Sequence, residues 1–169
     1  MRNLYIDFDG VILDTINTTY KMLAELGIDH KDEEKTKEFY ASLDWKKVLE
    51  ETPIINDGIN CIHKILESNK FNVAILTHVN SLDEAVQKVK YIRKYLEDIT
   101  VIPVPKAISK TKMVRSKDAI LIDDYSGNLR EWESEGGIGV RFSLKLNGKG
   151  FRVIDKLDQI LDMDYETVK

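Results

Sequence analysis

Leu4-Tyr5-Ile6-Asp7-Phe8-Asp9-Gly10-Val11 is the stretch on which the fold turns. An apolar run of strand length, read as Leu4–Phe8, carries two carboxylates one residue apart at its end. On extended backbone, side chains alternate between faces, so Asp7 and Asp9 share one side and Phe8 takes the other. Like charges held that close repel, unless a hard cation lies between them or one is protonated. Mg²⁺ suits such a site, because it prefers carboxylate and phosphate oxygens and keeps several waters. Gly10 permits a sharp exit beside the pair. The competing interpretation is a solvated Asp-Gly turn closing an edge strand.

On either side of this stretch, short apolar runs alternate with helix-period stretches, the pattern of an α/β protein with a parallel sheet. Further strands are expected at Asn72–Leu76, Ile99–Val104, Ala119–Ile122 and Ile138–Phe142, giving a doubly wound sheet of five strands. A helix is expected over Leu82–Leu96, with Ser81 and Glu84 forming a capping box. Ser126 is expected to cap a helix ending at Gly136-Gly137, and a final helix to run from about Val153 to Leu161.

One interval breaks the alternation. About sixty residues separate the first two strands, where a single crossover needs only one helix. Thr15–Gly27, Asp32–Ala41 and Asp44–Glu51 read as helices, with Pro53 stopping the last. An insertion directly after the first strand lies over the carboxyl ends of the sheet, where open α/β folds bind ligands. The expected organisation is therefore a core of 1–14 and 57–169 with a small helical cap at 15–56.

Composition narrows the functional class. With 43% hydrophobic and 32% charged residues, the chain has globular rather than disordered composition. Its net charge is −4 and the basic residues are scattered, which argues against nucleic acid or an anionic membrane as partner. No run approaches the ~18 apolar residues of a membrane span. The opening residues run straight into the charged motif rather than a signal peptide, so the cytoplasm is the expected compartment. Cys61 stands alone and reads as core filler.

A second acidic pair strengthens the first. Asp123-Asp124 follows Ala-Ile-Leu-Ile, and so stands at another carboxyl end; adjacent acids there are unfavourable unless paired or metal-bound. Val73-Ala74-Ile75-Leu76-Thr77 ends in a hydroxyl able to donate to a phosphate oxygen. His78 beside it is read as a polar contact near the same phosphate. Between these motifs lies a lysine that could neutralise charge on a transferred phosphoryl group; Lys106, Lys110 and Lys112 all qualify, with Lys110 at the start of a short helix.

Asp-Phe-Asp-Gly-Val, an apolar run ending in Thr77, a lysine, and then Ile-Asp123-Asp124 resemble the four ordered motifs of the haloacid dehalogenase superfamily. More narrowly, Asp14, the short helical cap and the stretch Leu-Ile-Asp-Asp-Tyr-Ser-Gly-Asn-Leu-Arg-Glu-Trp-Glu look like the bacterial and phage relatives of the 5′(3′)-deoxyribonucleotidases. The resemblance implies a Mg²⁺-dependent phosphatase acting on a small phosphomonoester, such as a (deoxy)nucleoside 5′-monophosphate. It implies Asp7 as nucleophile and Asp9 as acid and base, with the ion held by Asp7, the Asp9 carbonyl and Asp124, supported by Asp123. It implies phosphate contacts from Thr77 and the lysine, and its spacing favours Lys110.

The sequence departs from those nucleotidases in two places. Thr15 follows Asp14 where an aromatic residue is usual, and His78-Val79 stands where Ser-Pro is usual. Base recognition would then fall to Tyr20, Phe39, Tyr40 or Trp45, which equally read as the cap's own core. A receiver-like signalling domain or a phosphate-binding regulatory protein would use similar residues. Receivers, however, place the acidic pair first in the chain and lack an inserted cap.

Overall fold

In the computed structural model, which describes residues 1–165, the first strand β1 spans Arg2–Ile6 and lies in the middle of the sheet. β2 (Phe71–Val79) and β3 (Thr100–Pro105) extend the sheet to one side; β4 (Ile120–Asp123), β5 (Ile138–Phe142) and β6 (Arg152–Ile154) extend it to the other. The order is β3-β2-β1-β4-β5-β6 and every pairing is parallel. The chain reverses its direction of winding between β1 and β4, which opens a crevice beyond their carboxyl ends. Asp7 stands at that crevice, its backbone N–H donating to the Ile122 carbonyl at 2.9 Å.

Both faces of the sheet are covered, as its continuous apolar strands require. On one face Leu4, Ile6, Ile120 and Ile122 pack with Ile59, Ile62 and Ile65 of α4 (Gly58–Glu67). On the other, Tyr5 and Leu121 meet Leu129 and Trp132 of α6 (Ser126–Ser134). Trp132 is fully buried, and its indole N–H donates to the Ala119 carbonyl at 2.9 Å.

The interval between β1 and α4 folds as three helices, α1 (Thr15–Glu25), α2 (Glu33–Ser42) and α3 (Trp45–Glu51). Asp32 and Asp44 cap the second and third by accepting from the N–H groups of Lys35 and Lys47. Trp45, Val48 and Leu49 turn inward and join the core. The Trp45 N–H also donates to Asp83 at the head of α5 (Leu82–Tyr95), tying the inserted helices to the rest.

Five expectations need correction. Among the described residues the sheet has six strands rather than five, because Arg152–Ile154 pairs along β5 and becomes the edge strand on that side. The helix expected from Val153 is therefore that strand followed by a 3₁₀ turn at Leu157–Asp162. Ser126 does not cap α6: the N-cap is Tyr125, without a side-chain bond, and the Ser126 hydroxyl is buried with no partner among the described residues. The capping box is half formed, since Ser81 accepts from the Glu84 N–H at 3.1 Å but Glu84 reaches the Asn80 N–H instead. β2 also runs on to Val79, which places Thr77 inside the strand. Among the described residues no helix is long and apolar enough to cross a membrane.

Candidate active site

Asp7, Asp123 and Asp124 converge where β1 and β4 end, each offering a carboxylate oxygen within 4.8 Å of the others. Asp7 and Asp123 are buried and Asp124 is half-buried at the open side. Gly10 makes this approach possible: at φ +76° a Cβ would overlap the Asp124 Oδ2 and lie 2.9 Å from its Cγ.

One cation enters the cluster. Lys110, the first residue of a 3₁₀ turn at Lys110–Lys112, is 2% exposed and donates to Asp7 Oδ1 at 2.9 Å and to Asp123 Oδ2 at 2.8 Å. The turn is shaped by Ser109, whose hydroxyl accepts from the Thr111 N–H and donates to Glu131. Lys106 and Lys112 are exposed and stand outside the cluster. Asp123 is saturated, since its other oxygen accepts from the Tyr125 N–H at 2.9 Å and Asn128 adds a further donor at 3.0 Å.

The electrostatics follow from this uneven pairing. Burial would raise Asp123, but the Lys110 ammonium and these donors hold it below the usual carboxylate range. Burial, with the neighbouring Asp123 charge, pushes Asp7 up to about 7. Asp124 is pushed up to about 9 by burial and by the charges of Asp7 and Asp123. Burial would depress the Lys110 ammonium, yet Asp7 and Asp123 raise it instead. Three carboxylates share one ammonium, leaving a deficit of two positive charges when all are ionised. An all-oxygen donor set with that deficit fits a hard divalent cation such as Mg²⁺.

Asp9 lies apart from this triad. Its Oδ1 accepts from the Thr15 hydroxyl at 2.6 Å and its Oδ2 from the Lys88 ammonium at 2.7 Å. Thr77 is fully buried; its hydroxyl accepts from Lys88 at 2.9 Å and donates toward the His78 carbonyl at 3.3 Å. His78 turns outward, with Nε2 2.8 Å from the Ile108 carbonyl, so that nitrogen is the protonated one. Burial lowers the pKa of its ring. The structure thus gathers Asp7, Lys110, Asp123 and Asp124 into one cluster, with Asp9 and Thr77 beside it around a second lysine.

That second lysine, Lys88, escapes a sequence reading because a lysine on an amphipathic helix is ordinarily solvated. The signal was its phase: Glu84 and Lys88 share the buried stripe of α5 with Ile92. Of the aromatic residues in the inserted helices, Phe39 and Trp45 are buried in the core and Tyr40 is fixed by Thr19 at 3.0 Å. Tyr20 is half exposed and stacks on His30, ring centroids 5.8 Å apart. Two open hollows, about 380 and 510 Å³, are lined by residues around Tyr95 and do not touch the acidic cluster.

No protein-family model matches the chain, and no curated protein does. Solved structures do share its fold. A hydrolase from Pseudomonas syringae superposes with a TM-score of 0.61 at 13% identity, covering 99% of this chain and 100% of that one. A HAD phosphatase from Thermococcus onnurineus gives 0.59 at 14% identity, with 96% and 97% covered. A HAD hydrolase of family IA, variant 3, from Entamoeba histolytica gives 0.56 at 15% identity, with 94% and 95% covered. The chain shares the overall architecture of these solved structures.

Proposed function

We propose that this chain is a Mg²⁺-dependent phosphomonoesterase of the haloacid dehalogenase superfamily, working through an aspartyl-phosphate on Asp7. The observation that carries the reading is the triad of Asp7, Asp123 and Asp124, two of them buried and Asp124 half-buried, with Lys110 as its only cation among the described residues. The four ordered motifs and the neighbours' fold support it.

In the first step an Asp7 carboxylate oxygen bonds to phosphorus while the phosphorus–oxygen bond to the leaving group breaks. Lys110 fixes Oδ1, which leaves Oδ2 to attack. The covalent intermediate splits one hard displacement into two easier ones. Asp9, whose two oxygens both accept bonds in this structure, takes up a proton before the step and gives it to the departing alkoxide. In the second step water loses a proton to Asp9 and bonds to phosphorus, and the Asp7 ester breaks to release inorganic phosphate. When bound, Mg²⁺ would be held by Asp7, Asp124 and the Asp9 carbonyl and would supply neutralisation of phosphoryl charge. Asp123, already saturated, holds Lys110 and shapes the cluster. Lys110 binds the transferred phosphoryl group; a role for Thr77 requires its hydroxyl to exchange partners on binding.

The substrate class is a small phosphomonoester, and the nucleotidase-like motifs point to a (deoxy)nucleoside 5′-monophosphate. Residues 1–14 and 57–169, of which 166–169 lie outside the described residues, would form the catalytic core, with 15–56 as its cap. A phosphate-release panel of 5′- and 3′-nucleotides and sugar phosphates, with and without Mg²⁺, is the direct test. Metal-dependent release is expected; no turnover of any monoester by metal-loaded protein would defeat the reading. Phosphate persisting on Asp7 for minutes would favour a signalling switch instead.

A further inference from the structure

Lys88 reaches the site from α5, and its side chain has no exposure to solvent. Four oxygens surround its ammonium: Glu84 Oε2 at 2.6 Å, Asp9 Oδ2 at 2.7 Å, Thr77 Oγ1 at 2.9 Å and the His78 carbonyl at 3.1 Å. The rings of Phe8 and Trp45, centred 5.1 and 5.4 Å away, close the remaining sides. Glu84, four residues earlier on the same helix, already balances the charge of Lys88. The bonds to Asp9 and Thr77 are therefore surplus to neutralising it. Burying an ion pair is also a poor route to stability, since well-packed apolar residues do as well or better.

Asp9 is gripped at both oxygens, by Lys88 on one and by the buried Thr15 hydroxyl on the other. One bond per oxygen, each to a donor itself held in place, fixes where the carboxylate sits and the plane in which it lies. Glu84 anchors Lys88 in turn, because its second oxygen takes the Asn80 N–H at 2.7 Å. An acid that must meet a leaving oxygen depends on this kind of orientation, and small misplacements are expensive in rate. We infer that Lys88 is a positioning residue: it acts through Asp9, holding that carboxylate in the orientation from which it serves the leaving group.

The inference rests on Asp9 being the proton donor of the proposed reaction, and the test separates the two. The first-turnover rate of leaving-group release is measured for an alkyl ester, glycerol phosphate, and for p-nitrophenyl phosphate, whose leaving group needs little protonation. Lys88→Met is expected to slow the alkyl ester about 30- to 100-fold and the aryl ester less than about 5-fold, as Asp9→Asn does more strongly. The double variant should be no slower than Asp9→Asn alone. Mg²⁺ binding followed by calorimetry should change little in Lys88→Met, since Lys88 touches neither the Asp7 nor the Asp124 carboxylate and meets Asp9 at its side chain, not at the backbone carbonyl that would hold the ion. If Lys88→Met does not fold, Glu84→Gln/Lys88→Met, which removes both buried charges, is read in the same way. An equal slowing of both esters, no slowing, or multiplicative losses in the double variant would overturn the role of Lys88. Failure of the metal-loaded, unmodified protein to turn over these esters and every monoester of the phosphate-release panel would instead remove the phosphatase reading.

Discussion

Replacing Lys110 with methionine keeps the length of the side chain and removes the ammonium that touches both Asp7 and Asp123. Lys110 is 2% exposed and the two carboxylate side chains 9% and 0%, so solvent cannot take over its role. Breaking a buried ion pair from one side destabilises by about 3–5 kcal/mol. The protein can limit the loss by protonating the stranded carboxylate. For a group with an unfolded pKa near 3.9 that costs about 1.4 kcal/mol per pH unit, roughly 1.5 kcal/mol at pH 5 and 5.5 at pH 8. The destabilisation should therefore reach its full ~3–5 kcal/mol at pH 8 and shrink to about 1.5 at pH 5. The sign is fixed. In the variant the folded state holds a proton on Asp123 that the unfolded state releases, so stability falls as pH rises above about 4. Metal-free urea unfolding of both proteins at the two pH values reads the difference. A loss below about 1 kcal/mol at pH 8, or one equal at both pH values, would refute the buried pairing of Lys110 with these carboxylates.

Other outcomes follow from the same geometry. Because Asp7 is raised to about 7 and Asp124 to about 9 without metal, Mg²⁺ binding at neutral pH should release protons; its affinity should climb from pH 6 to 9, read by calorimetry in buffers of different ionisation heat. Those raised values also mean that the metal-free protein loses stability from these groups as pH rises from about 4 toward 9, and that saturating Mg²⁺ removes the loss. Gly10→Ala forces a Cβ onto Asp124 at a left-handed φ of +76°; about 1–3 kcal/mol of stability and much of the Mg²⁺ affinity should be lost, measured by thermal unfolding with and without metal. Asp9→Asn should lower turnover by about 10²–10⁴-fold and Asp7→Asn abolish it, both with Mg²⁺ binding checked independently.

Much of the site was legible because its chemistry sits at the ends of apolar runs. Leu4-Tyr5-Ile6 and Ile120-Leu121-Ile122 read as buried strands of a parallel sheet, and Asp7 and Asp123-Asp124 follow them at the same edge. The inserted helices were equally readable, since Asp32 and Asp44 announce their starts and Pro53 stops the third. What the sequence concealed was decided by tertiary contact. Arg152–Ile154 is three residues long, too short a run to announce a strand, and is one through its pairing with β5. Glu84 leaves the Ser81 N–H for Asn80 while its other oxygen takes Lys88. Lys88 itself looks like any surface lysine until the fold closes around it. The choice of Lys110 among three lysines likewise came from motif spacing, and the structure supplies the physical reason: it is the one of the three that is buried.

In the proposed reaction a phosphoryl group passes through the Asp7 carboxylate. Borohydride quenching during turnover with Mg²⁺ and substrate, followed by peptide mass spectrometry, tests it directly, because hydride reduces an acyl phosphate and leaves an ordinary carboxylate intact. Conversion of Asp7 to homoserine, absent without substrate, is the predicted result. Undiminished turnover with Asp7 unmodified, or with the reduced residue at any other aspartate, would contradict it.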